Sequence, residues 1–245
     1  MRAAFRNLLR LAAVACIVLG VACADDGAPV SAPPPPKPAV PVRMLALGDS
    51  YTKGESVPVS KSWPYQLEVA LLPDSVRVTS LKVVAYTGWT TADLLVAIQK
   101  NKLKPEYDLV TLQIGVNNQY GGYPFDQFQT EFPELLAKAS ALAGDRPDHV
   151  VVLSIPDYTV TPVGSRVDPD VNRSELDSYN AFIAATLDST ETALVNITDI
   201  SRLAQDDSSL VARDGLHYSG KMYAEWVDVI RPVVARIFGR GKAAK

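Results

Sequence analysis

Val42-Arg43-Met44-Leu45-Ala46-Leu47-Gly48-Asp49-Ser50-Tyr51 is the stretch on which the reading of this chain turns. Met44 to Leu47 form a short apolar run, the length of a strand buried on both faces of a sheet. Gly48 ends the run, and Asp49-Ser50 follow at once. A small polar pair just past a buried strand sits at the strand's carboxyl end, where open α/β sheets place their ligands. Ser50 is therefore the candidate nucleophile, although Gly-Asp-Ser is also ordinary turn chemistry.

Downstream, strands and helices are expected in alternation. Strands are read at Val42 to Leu47, Val76 to Ala85, Asp108 to Ile114, His149 to Ile155 and Ala193 to Ile197. Ser62 is expected to cap a helix that carries Pro64 in its first turn and runs to about Leu72. Thr90 or Thr91 caps the next, with Asp93 in its first turn. Phe128, Phe132, Leu135, Leu136, Ala139 and Leu142 recur at helical spacing. Ser174-Glu175-Leu176-Asp177 carries a capping-box pattern for a helix through about Leu187. A last helix is expected from Ser219, with Met222, Tyr223, Trp226, Val229, Ile230, Val233 and Ile237 on one face and a kink at Pro232. Polar loops are read from Gly115 through Pro124 and from Pro156 to Arg173. The alternation predicts a parallel sheet of about five strands covered on both sides, a three-layer α/β/α sandwich.

Upstream, residues 1–24 read as a targeting leader, a signal peptide, and not as fold. Arg2, Arg6 and Arg10 form a positive region, and Leu11 to Ala22 an apolar one too short to span a bilayer comfortably. Ala22-Cys23-Ala24 fits a small-x-small cleavage site. Gly20-Val21-Ala22-Cys23 resembles a bacterial lipobox, with Gly20 where Leu is usual, and would make Cys23 a lipid-carrying terminus. Either way the expectation is export, to the periplasm or cell envelope as a lipoprotein, or secretion. Asp25 to Pro41 is a Pro-rich linker that favours extended polyproline II, leaving 42–245 as the folded domain.

The chain has 245 residues, 47% hydrophobic and 21% charged, enough for one sizeable core. Acids outnumber bases, 27 to 24, and no basic patch appears, which argues against a nucleic-acid partner. Membrane attachment, if any, is expected through the lipid anchor only. Both cysteines, Cys16 and Cys23, lie in the leader. The domain then has no thiol for a disulfide, a thiolate metal site or a Cys nucleophile.

Histidine is scarce. His149 stands at a strand start, the sheet edge opposite the expected site, and reads as a surface residue. His217 lies in Arg213-Asp214-Gly215-Leu216-His217, in a loop free to reach the carboxyl ends of the strands. A carboxylate three residues before an imidazole can accept from Nδ1–H, fixing the tautomer and leaving Nε2 as a base. A serine hydroxyl needs such a base near neutral pH. Acyl transfer also needs donors where the oxyanion develops. The Ser50 N–H, the Gly88 N–H and the Asn117 side-chain amide end three successive strands and are the candidates.

Taken together these blocks resemble the SGNH hydrolases, also called the GDSL esterase/lipase superfamily, over roughly Val42 to Ile237. Gly48-Asp49-Ser50-Tyr51 matches the first block, with Tyr51 where Leu or Ile is common. Gly88 matches the second. Gly115-Val116-Asn117-Asn118 matches the third, with Asn118 where many members carry Asp. Asp214-Gly215-Leu216-His217 matches the last, followed by Tyr218 where Pro is frequent. The resemblance implies a flavodoxin-like sandwich and ester hydrolysis needing no metal or other cofactor, with Ser50, His217 and Asp214 catalytic. No Gly-x-Ser-x-Gly elbow, HExxH, P-loop or GxGxxG occurs.

Substrate contacts are expected from Asn118, Trp89 and Tyr120, with Tyr123 and Tyr158 in nearby loops. No long apolar lid segment is evident, which favours short or medium acyl esters. The competing readings are a deacetylase of envelope or plant polysaccharide, a lysophospholipase or thioesterase, and a catalytically idle envelope-tethered binding module.

Overall fold

The structure, a computed structural model, describes residues 38–239. The leader, Cys23 and most of the Pro-rich linker lie outside the described residues. Five strands form one sheet: β1 (Val40–Gly48), β2 (Val76–Ala85), β3 (Leu109–Gln113), β4 (Val150–Leu153) and β5 (Ala193–Val195). Their order is β2-β1-β3-β4-β5, and every pairing is parallel. Among the described residues eight α-helices accompany them: α1 (Ser50–Lys53), α2 (Trp63–Ala70), α3 (Thr91–Lys100), α4 (Val116–Tyr120), α5 (Phe125–Leu142), α6 (Pro169–Leu187), α7 (Thr198–Ser201) and α8 (Gly220–Gly239).

The sheet lies between two helical layers. The chain runs outward from β1 to β2, then returns past β1 to β3, β4 and β5. Right-handed crossovers therefore send α2 to one face and α3, α5 and α6 to the other. α8 joins the first layer by packing on α2, while α3 packs on α5. Central strands buried by both layers must be apolar on both sides. Val42, Met44, Leu45, Ala46 and Leu47 are accordingly inaccessible to solvent, as are Leu109, Val110, Leu112 and all of β4. Trp63 and Leu67 of α2 and Met222, Tyr223, Trp226 and Ile230 of α8 fill the first interlayer space. Phe128, Phe132, Leu135 and Ala139 of α5 fill the second.

The reversal of direction at β1 leaves a crevice at its carboxyl end, between its two neighbours. Gly48 pairs with Ala85 of β2 and with Gln113 of β3, so three strand ends lie in one row. Ser50, Gly88 and Asn117 each follow within a few residues of that row.

Several elements depart from the sequence expectation. Ser62 precedes α2 but does not cap it: its hydroxyl donates to the Val59 carbonyl at 2.9 Å. α6 begins five residues before the Ser174 box, because Asp168-Pro169 opens it with proline in the first turn. Ser174 is interior there, and its carbonyl accepts from Ser178 Oγ. The segment after Gly115 is not a plain loop but opens with the one-turn helix α4. Pro232 lies inside α8 without ending it. Thr90 caps α3 as expected, in a capping box with Asp93.

Candidate active site

The nucleophile candidate is built from a strand that stops and a helix that starts at once. Asp49 is the N-cap of α1 and accepts the Tyr51 N–H at 3.0 Å. Its other oxygen receives Gln113 Nε2 at 3.3 Å, and Gln113 Oε1 accepts from Thr52 at 3.0 Å. Asp49 is fully enclosed, and burial pushes its carboxyl up to about 7 against the hydrogen bonds that pull it down. Ser50 follows as the first residue of α1 and is 3% exposed. Its N–H has no carbonyl one turn back to satisfy it.

Gly88 sits in the turn after β2. The Trp89 N–H closes that turn on the Tyr86 carbonyl at 3.3 Å, and Gly88 has φ 83°. A positive φ at the third turn position is the type II geometry that favours glycine. Asn117 lies in α4, and its Nδ2 donates to the Trp89 carbonyl at 2.9 Å. One amide hydrogen is used in this bond and the second remains.

Asp214 and His217 belong to a tight loop closed by the bridge between Val211 and Tyr218. Asp214 Oδ1 accepts both the Leu216 and the His217 N–H at 2.9 Å. Asp214 Oδ2 lies 2.7 Å from His217 Nδ1 and accepts from Ser56 Oγ at 2.5 Å. Partial burial alone would raise the Asp214 pKa. The donors from Ser56, Leu216 and His217 outweigh it and hold the carboxyl below the usual carboxylate range. An ionised Asp214 on Nδ1 places the tautomeric proton there and leaves Nε2 to act as a base.

These pieces meet. Ser50, Gly88, Asn117 and His217 line one cavity of about 130 Å³, together with Tyr51, Val116, Tyr158 and Leu216. The Tyr51 ring lies 5.4 Å from the imidazole and 5.6 Å from Tyr218, so His217 rests on a buried aromatic floor.

The GDSL-like lipase/acylhydrolase family profile matches residues 46–225, from within β1 into α8. The chain belongs to that family. An arylesterase from Vibrio mimicus is 31% identical over 113 residues, 46% of this chain. The match spans 54% of that relative's length. Among solved structures, the psychrotrophic esterase EstA from Pseudoalteromonas sp. superimposes with a TM-score of 0.61 at 19% identity, covering 81% of this chain and 100% of that one. A variant of the acetyl xylan esterase Axe2 from Geobacillus stearothermophilus gives 0.57 at 17% identity, covering 83% and 97%. Both carry the same fold.

Within this GDSL-family domain, the expected substrate contacts divide. Tyr120 lines the cavity, 59% exposed, with its ring edge-on to Tyr158 at 5.4 Å. Asn118 does not face substrate: it is fully buried, and both ends of its amide are spent on Thr91, at 3.0 and 2.8 Å. It fastens α4 to the start of α3. Trp89 is not among the cavity's lining residues; its ring packs on Tyr86 at 5.8 Å and its carbonyl braces Asn117. Tyr123 lines a separate groove with Gln119 and Tyr179. His149 stands at the far end of the sheet, half-buried, with Nδ1 2.7 Å from the Asp108 carbonyl.

Three features escaped the sequence reading. Ser56 on Asp214 joins positions 158 residues apart, with no local pattern to mark it. Tyr158, expected only in a nearby loop, is 3% exposed and donates to Gln119 Oε1 at 2.8 Å, forming a cavity wall. Asp157, fully buried, holds Arg202 Nε at 2.8 Å and Arg173 Nε at 3.2 Å beneath that wall. Among the described residues no group of three His, Cys, Asp or Glu side chains is placed to hold a metal ion.

Proposed function

We propose that this protein is a serine esterase that hydrolyses carboxylic esters of short or medium acyl chains through an acyl-enzyme. The observation that carries the reading is the single cavity shared by Ser50, Gly88, Asn117 and His217, with Asp214 on the far side of the imidazole. In this reading His217 Nε2 takes the proton from Ser50 Oγ as the oxygen attacks the ester carbonyl. The Ser50 N–H, the Gly88 N–H and the free amide hydrogen of Asn117 receive the oxyanion. The tetrahedral intermediate collapses, His217 protonates the departing alcohol, and water repeats the sequence on the acyl-Ser50 ester. Asp214 keeps the imidazole oriented and stabilises the imidazolium. The small cavity and its Val116, Leu216 and Tyr158 walls favour a short acyl group.

The leader sequence supports export, with Cys23 as the site of lipid attachment and the Pro-rich segment as a tether. Palmitate labelling that persists in Cys23→Ser would sink the anchor.

A fluorophosphonate probe and a chain-length panel of p-nitrophenyl esters test the esterase reading. Wild-type protein should be labelled at Ser50 and turn over the short esters fastest. Ser50→Ala should abolish both labelling and turnover while keeping the wild-type circular dichroism spectrum. Turnover that survives Ser50→Ala would overturn the reading. A polysaccharide deacetylase would instead prefer acetylated xylan or acetylated glycan to every p-nitrophenyl ester.

A further inference from the structure

The short turn after α1 touches all three segments of the site. Gly54 N–H and Glu55 N–H both donate to the Ser50 carbonyl at 2.9 Å, so the turn is anchored on the nucleophile residue itself. The Glu55 carboxylate accepts from Thr87, the neighbour of Gly88, and from Lys53 Nζ at 2.8 Å. Ser56 then reaches across to Asp214 Oδ2, the oxygen that also holds His217 Nδ1. Ser56 makes this contact at φ 63°, a left-handed conformation that is uncommon for a non-glycine residue. A strained backbone persists where surrounding contacts over-determine it.

We infer that Glu55 and Ser56 form a clasp holding the nucleophile, the Gly88 turn and the Asp214–His217 loop in register, with Ser56 the positioning residue for the Asp–His pair. The inference rests on the esterase reading for its kinetic consequence, and on the Ser56–Asp214 hydrogen bond alone for its structural one. β1, β2 and the Asp214 loop come from distant parts of the chain, and the sheet aligns only the first two. The Asp214 loop reaches the site from outside the sheet, so its position needs separate ties. The Val163 N–H on the Gly215 carbonyl and the Tyr218 hydroxyl on the Asp157 carbonyl hold its backbone and its end, and Ser56 adds a tie at the one oxygen that orients the base. The charged groups facing His217 are Asp214 from its own loop and Glu55 from the clasp. With one donor fewer, Asp214 attracts the imidazole proton more strongly, and Oδ2 loses one of the two contacts that fix it.

Ser56→Ala and Ser56→Gly separate positioning from simple stability. Both remove the hydroxyl, but glycine also relieves the positive φ and should raise the Tm relative to Ser56→Ala. Both variants should lower kcat to a similar extent, roughly ten- to a hundred-fold, with KM nearly unchanged. Both should also move the acid limb of kcat/KM to higher pH. In the proton NMR spectrum the downfield His217 Nδ1–H resonance should shift or broaden in both. It is assigned against His149→Gln, since the chain has 2 histidines. Wild-type kcat, acid limb and Nδ1–H resonance in both variants would overturn the inference. So would a kcat loss that follows Tm, with glycine active and alanine not. If the esterase reading itself failed, Ser50→Ala would keep its turnover, while the Nδ1–H resonance would still report on the clasp.

Discussion

The side-chain amide of Asn117 donates to the backbone carbonyl of Trp89 at 2.9 Å, joining the first turn after β3 to the turn that carries Gly88. Two of the three proposed oxyanion donors are thereby braced against one another before any substrate arrives. Preorganised donors of this kind stabilise developing charge without reorganising during the reaction. Asn117→Ala removes one donor and loosens the other. The expected outcome is a kcat lower by roughly 10²–10³ on a short p-nitrophenyl ester. A kcat equal to wild type would exclude Asn117 from the oxyanion hole.

Asp49 predicts a pH dependence of stability. Its carboxyl is raised from 3.8 to about 7 by burial. The folded protein therefore holds a proton between those values that the unfolded chain releases. Stability from this group falls as pH rises through that window and levels off above it. Asp49→Asn keeps an oxygen acceptor for the Tyr51 N–H and removes the charge. Relative to wild type, the variant should gain a few kcal/mol in urea unfolding between pH 4.5 and pH 8. Parallel stability curves for the two proteins across that range would show that the buried carboxyl is not the source.

The two parts of the molecule were legible in the sequence to different degrees. β1, β3 and β4 and the cap of α3 were readable because buried parallel strands are continuous apolar runs and a capping box is local. Ser50, Gly88, Asn117, Asp214 and His217 could be singled out because each follows a strand or a turn at short range. Asn118 was misread because its polarity suggested solvent or substrate, whereas Thr91 satisfies both ends of its amide out of reach of either. The start of α6 was missed because two valid start signals compete, and Asp168-Pro169 wins over Ser174. Ser56, Gln119 and Asp157 stayed silent because their partners are far away in sequence and meet only once the sheet has formed.

Gly48 and Gly88 are both glycines of the site, for different reasons, and substitution separates them. A Cβ on Gly48 would collide with the Thr52 side chain and come within 2.6 Å of the Gln113 carbonyl oxygen. Neither the strand nor the helix cap can yield, so Gly48→Ala should cost about 1–3 kcal/mol or more by overpacking. A Cβ on Gly88 meets nothing within 4 Å, and only its φ of 83° resists. Gly88→Ala should cost about 1–2 kcal/mol, the penalty of a left-handed residue, and leave its N–H in place. Thermal unfolding of the two variants checks the order. A Gly48→Ala protein as stable as Gly88→Ala would mean that the strand end adjusts more easily than its packing implies.

Asp157 is the last test, because it connects stability to the cavity wall. Its side chain is wholly buried and faces Arg173 and Arg202, which are 36% and 32% exposed. Its backbone carbonyl accepts from the Tyr218 hydroxyl at 2.6 Å, and Tyr218 follows His217. Its Oδ1 caps the turn of Tyr158, the cavity wall, by accepting the Thr159 N–H at 3.0 Å. Breaking a buried pair by removing one partner costs about 3–5 kcal/mol, and the partial exposure of both arginines places Asp157→Ala near the lower end. Arg202 keeps Asp177 at 2.7 Å, so the loss centres on the Tyr158 turn and on Arg173. The variant should therefore lose stability in urea and also raise KM, because the wall it supports lines the proposed substrate cavity. Arg173→Met should lose less stability, since Arg202 still neutralises the carboxylate. Equal losses in the two variants would show that Arg173, and not the shared carboxylate, is the hub.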